Sequence, residues 1–158
     1  MRWLAFLSLL MLTGLPPIVQ AWADSGRVRP YTIVNGREIP DSITGQPGDA
    51  EAGRKLYFDR ELTGCSGCHG SPGGPGAQPD ANRSEAPSLA GVATRRTEGA
   101  IRLWLVAPEV LNADTAMPAY YSAGQRTDPT DPRFGEPRLT AIEIEDLVAY
   151  LLRQTTSQ

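Results

Sequence analysis

Cys65, Cys68 and His69 stand within five residues, in the run Gly64-Cys65-Ser66-Gly67-Cys68-His69-Gly70. They are both of the chain's cysteines and its one histidine. Two thiols at this spacing can each form a thioether to a vinyl group of the same porphyrin. The residue that follows then projects an imidazole to the iron. Ser66 and Gly67 are small enough for the backbone to turn close to the ring. A structural disulfide or a redox-active dithiol would use the same cysteines. Neither needs a histidine directly after the second. The pattern therefore predicts one covalent haem c, attached at Cys65 and Cys68 and ligated by His69.

The sixth iron ligand is constrained by counting. There is no second histidine, and of three methionines only Met117 lies beyond residue 11. A lone methionine is often core filler, but Met117 sits in Thr115-Ala116-Met117-Pro118, beside a proline in an irregular stretch. Met117 is the expected ligand; Lys55, or no protein ligand, is the alternative. A soft thioether raises the potential relative to two imidazoles. A six-coordinate iron has no open position, which suits an electron carrier. A ligating histidine usually gives its other N–H to a carbonyl or carboxylate. Pro87, in Ala86-Pro87-Ser88-Leu89-Ala90-Gly91, is the candidate acceptor, with an ordinary turn proline as the plain reading. Leu89 would then pack on the ring edge.

These residues need elements to hold them. Asp49 is a good N-cap for a first helix over about 50–60, with Glu51 in its first turn, where the dipole favours acid. Thr97-Glu98 opens a second helix, with Ala100, Ile101, Trp104 and Leu105 as its apolar stripe and Pro108 as its end. Thr140-Ala141-Ile142-Glu143 is a capping box. After it Ile144, Leu147, Val148, Leu151 and Leu152 form one face, leaving Glu143, Glu145, Asp146 and Arg153 for water. Residues 70–93 and 108–138 read as long loops. With 16 Gly and 14 Pro, the chain needs a staple, and loops this long make sense wrapped around a cofactor. Residues 24–48 read as an extended N-terminal arm, with a short strand at 31–34. The expected class is all-α.

Residues 1–23 form a separate unit. Arg2 precedes an apolar run from Leu4 to Leu15, then Pro16-Pro17, then Ala21-Trp22-Ala23. This is the form of a secretory signal peptide cut after Ala23. The run is short of the roughly 20 apolar residues a membrane span needs, and no later segment is apolar enough. A cytochrome domain over 49–158 follows the arm. The net charge of −3 becomes one unit more negative once Arg2 is removed, which argues against nucleic acid or an anionic membrane as partner.

Helix, C-x-x-C-H, Pro87-Ser88-Leu89-Ala90-Gly91, Met117-Pro118 and a closing amphipathic helix together resemble the class I cytochrome c fold, with long haem-wrapping loops. In that fold the end helices cross, bringing Gly53 and Tyr57 to Leu147, Tyr150 and Leu151. The chain resembles more closely the SoxX family, the monohaem subunit of the SoxAX sulfur-oxidation cytochrome. The likeness lies in 43–49, Gly53-Arg54-Lys55, 64–69, 101–104, the run Leu111 to Tyr121, and 139–151. Met117-Pro118-Ala119-Tyr120-Tyr121 is its most specific part, and the Gly/Pro-rich insert at 71–80 its one departure. The resemblance implies a periplasmic heterodimer with a SoxA-type subunit, acting as an L-cysteine S-thiosulfotransferase. That enzyme joins thiosulfate oxidatively to a cysteine of a SoxYZ-type carrier. The sulfur chemistry is then expected on the partner's haem, and no catalytic residue here. This chain would pass the electrons to a downstream cytochrome. A free-standing periplasmic shuttle is the alternative.

Overall fold

The computed structural model describes residues 27–72 and 86–155. The expected leader with its cleavage after Ala23, and most of the 71–80 insert, lie outside them. The chain forms helices α1 (Ala50–Phe58), α2 (Cys65–His69), α3 (Val92–Arg95), α4 (Glu98–Val106) and α5 (Ala141–Leu152), with a 3-10 turn at Pro108–Val110. Asp49 caps α1 by accepting from the Glu51 and Ala52 amides. Thr97 caps α4 through the Ala100 amide. The capping box of α5 is complete: Glu143 N–H donates to the Thr140 hydroxyl and Thr140 N–H to the Glu143 carboxylate.

Helices α1 and α5 cross at very short range. A Cβ on Gly53 would overlap the Asp146 carbonyl and come within 2.9 Å of Tyr150 Cβ. One on Gly48 would overlap the Glu145 carbonyl. Tyr57 closes the crossing, its ring centroid 5.4 Å from that of Tyr150. The core around it holds Ile101, Leu103, Leu105, Val106, Leu139, Ile144, Leu147, Val148 and Leu151.

Three expectations need correction. The first concerns α5, where Glu145 and Asp146 do not face water but are buried. The N-terminal segment lies over that side of the helix. Ile43 N–H donates to Glu145 Oε1 at 2.8 Å and Asp49 N–H to Asp146 Oδ1 at 2.6 Å. Arg102, fully buried, forks onto both Glu145 oxygens, each at 2.9 Å. It also donates to the Ile39 carbonyl at 2.7 Å. A charge pair can be buried when its remaining polar atoms are satisfied in this way.

The second correction is to α4. Burial there takes in Gly99, Arg102, Leu103 and Val106, while Ala100 and Trp104 are only half-buried. With the N-terminal segment on one side and α5 on the other, the buried arc is wider than one stripe. The Ile39 amide even donates to the Gly99 carbonyl at 3.0 Å.

Third, no strand forms at 31–34. Val34 instead makes an isolated bridge to Glu38 across a turn in which Asn35 and Gly36 both have positive φ. That is the Asn-Gly hairpin turn, and among the described residues no further strand extends it. In the described part of the arm, from residue 27, Ile39 and Ile43 belong to the core and Arg29 N–H reaches the Tyr121 hydroxyl at 2.8 Å.

Candidate haem site

Helix α2 is a single turn, bounded by Gly64 and Gly70, both at positive φ. Five residues cannot sustain a helix alone, and two phenols hold its ends. Tyr120 donates to the Thr63 carbonyl at 2.7 Å, and Tyr57 to the Gly70 carbonyl at 2.8 Å. Burial drives both phenols well above their ordinary range, so each remains a protonated donor. The Thr63 hydroxyl donates to the Leu56 carbonyl at 2.6 Å and ties the turn back to α1.

The two cysteines are not joined to each other: Cys65 is buried and Cys68 exposed. Burial pushes the Cys65 thiol up, against a smaller lowering by the Thr63 and Tyr120 hydroxyls. His69 Nδ1 lies 2.8 Å from the Pro87 carbonyl oxygen. A carbonyl only accepts, so Nδ1 is the donor in this contact and Nε2 is the ring nitrogen left for a metal. Arg95 fixes the Pro87 loop, donating through Nη1 to the Ala90 carbonyl at 2.6 Å and through Nη2 to Ser88 at 3.1 Å. Leu89 is half-buried against the core.

Met117 is also half-buried against the core. Its amide donates to the Thr115 hydroxyl at 3.1 Å, and Pro118 follows. Gln125 donates to the Ala119 carbonyl. Tyr120 then locks the backbone, its amide on Leu105 at 2.9 Å and its carbonyl accepting from Leu139 at 2.9 Å. Lys55 is exposed, two positions from both buried residues Gly53 and Tyr57, and so on the opposite side of α1.

The residues present fit a covalent haem. Both thiols are free, the Pro87 contact leaves His69 Nε2 as the nitrogen for a metal, and nothing lies within 4 Å of a Cβ placed on Gly67. Among the described residues no cluster of three or more His, Cys, Asp and Glu could hold a metal ion. The parts missed from sequence are Tyr57, Tyr120, Thr63 and Arg95 as holders of the turn and loop. Each acts by side-chain donation to backbone carbonyls, and no residue spacing announces such a bond.

The cytochrome c family matches residues 50–155. No curated protein matches the chain at a significant level. Among solved structures the chain is similar to the crystal structure of SoxXA from P. pantotrophus, at 30% identity and a TM-score of 0.61, over 79% of this chain and 94% of that one. The chain belongs to the cytochrome c family, with the class I fold. Within that family it is a SoxX-type cytochrome, and its cofactor is covalently bound haem c. Among the described residues no helix is long and apolar enough to cross a membrane.

Proposed function

We propose that Cys65 and Cys68 carry the haem, that His69 and Met117 ligate its iron, and that the chain is the electron-transfer subunit of a periplasmic SoxAX-type complex. The observation that carries this reading is the His69–Pro87 hydrogen bond, beside two unpaired cysteines in a chain similar to SoxXA. When bound, the haem supplies a one-electron site whose potential a thioether ligand raises. The chain's own residues set that site. Pro87 holds the proton on Nδ1 of His69, Arg95 holds the Pro87 loop, and Met117 offers sulfur from a loop anchored at Tyr120.

With both cysteines committed to thioethers, the sulfur chemistry belongs to a SoxA-type partner. There a carrier-protein thiolate and thiosulfate join through a new S–S bond and release two electrons. The sulfur carrier is of the SoxYZ type. This chain takes the electrons one at a time and passes them to a downstream cytochrome. The signal peptide at 1–23 would place it in the periplasm. The alternative is a free-standing shuttle. The N-terminal segment does not separate the two readings, since it packs on its own α4 and α5.

Purification from a thiosulfate-grown host tests the proposal. The chain is expected to carry one covalent haem c and to come with a second haem subunit. A colourless product, or a Cys65–Cys68 disulfide, overturns the haem assignment, and a strictly monomeric red product favours the shuttle. Met117→Ala is expected to keep the haem and lower its potential. An unchanged potential and ferric spectrum would exclude Met117.

A further inference from the structure

Tyr120 occupies an unusual position. It lies three residues beyond Met117, and its hydroxyl donates to the carbonyl of Thr63, two residues before Cys65. Its own amide and carbonyl are pinned to Leu105 and Leu139. The ring is 4% exposed, so water does not compete for the phenol. One side chain thus joins the loop that presents the thioether to the turn that presents the imidazole. The two ligand-bearing segments are far apart in sequence, and the bond spans |i−j| of 57. Tyr57 makes the same kind of bond at the other end of the turn, but it sits on α1 and leaves the Met117 loop untouched.

From this asymmetry we infer that Tyr120 is a positioning residue for the methionine ligand. Its hydroxyl ties the Met117 loop to the turn that bears His69, which would hold the thioether in place as a ligand, and Tyr57 holds only the His69 side. The inference rests on Met117 being the sixth ligand. Removing the hydroxyl unlinks the loop from the turn, so the thioether leaves the ferric iron more often, and an added ligand finds the site sooner.

The test is stopped-flow entry of imidazole into the ferric holoprotein. Tyr120→Phe is expected to speed entry about ten-fold, the factor that one net hydrogen bond supplies, with the covalent haem retained. Tyr57→Phe should stay close to the parent rate. An unchanged rate in Tyr120→Phe, or an equal rise in Tyr57→Phe, overturns the inference, the second because it would mark general loosening. Met117→Ala separates the two layers. If it already binds imidazole no faster than the parent, methionine ligation itself is wrong. If it binds fast and adding Tyr120→Phe accelerates it by the same factor again, Tyr120 does not act through Met117. Where Tyr120→Phe yields too little holoprotein, fluorotyrosine at position 120 keeps the donor and strengthens it. Imidazole entry slower than in the parent supports the inference, and entry as fast or faster overturns it.

Discussion

The crossing of α1 and α5 and the attachment turn at Cys65–His69 are held by opposite means. At the crossing, Gly48 and Gly53 let one backbone lie directly on the other, and a ring of buried aliphatic and aromatic side chains closes around them. At the turn, the helices are five and four residues long. Side-chain donors hold the carbonyls around them: Tyr57 and Tyr120 one each, and Arg95 the two of Ser88 and Ala90. The first region is a continuous packing that fails as a whole. The second is a set of separable bonds around the candidate haem-attachment residues. Rigid packing fixes where the turn stands, and the separable bonds fix how the ligands are aimed.

The deepest break in the packed half should come from its buried ion pair, Arg102–Glu145. Arg102→Met leaves Glu145 buried without its cation, and loss of one partner of such a pair costs about 3–5 kcal/mol. Denaturant unfolding of the holoprotein should show that loss, and Arg102→Met with Glu145→Gln should recover much of it. A single variant as stable as the parent would mean that the N-terminal segment, not the pair, holds α4 to α5. Next in size is Gly53→Ala. Its methyl meets backbone rather than a movable side chain, so overpacking is expected to cost about 1–3 kcal/mol. An unchanged midpoint would show that the two helices can part there freely.

The contrast also explains what the sequence made legible. The end helices were readable because their determinants are local: Asp49 as cap, Thr140 and Glu143 as a box, and an apolar period along α5. The C-x-x-C-H run was readable because both cysteines and the one histidine stand together in it, and the same counting singles out Met117 as the proposed sixth ligand. The burial of Glu145 and Asp146 was not readable. Their period places them on a polar side, and only a segment about a hundred residues away covers them. The same holds for Tyr120, whose hydroxyl acts on a carbonyl 57 residues distant.

In the separable half, Arg95→Gln should do less to stability and more to the haem. The guanidinium fork on the Ser88 and Ala90 carbonyls is solvent-exposed, so its loss is expected to cost about 1 kcal/mol. The Pro87 carbonyl then wanders, and His69 loses its fixed ring orientation. Redox titration beside unfolding is the check. A shifted potential with a small change in stability supports separable bonds. Loss of stability on the scale of Arg102→Met would show the turn to be as cooperative as the helix crossing.

The smallest effect is expected at Asp146, where the two halves of the contrast meet in one side chain. It is packed at the helix crossing yet holds a single amide, that of Asp49. Burial raises its carboxyl above the ordinary carboxylate range, against a smaller lowering by that hydrogen bond. A raised folded value means that the folded state takes up the proton more readily than the unfolded chain. This contribution to stability is therefore fully present below the unfolded value and is lost as pH rises through the folded one. Asp146→Asn keeps an oxygen to accept the Asp49 amide and removes the charge. It is expected to flatten the stability–pH curve in the acid range just above a carboxylate pKa of about 4, and to leave the variant slightly more stable than the parent at neutral pH. Unfolding midpoints measured across that range decide it. A variant that loses stability at neutral pH would show that the ionised carboxylate strengthens the Asp49 contact by more than its burial costs.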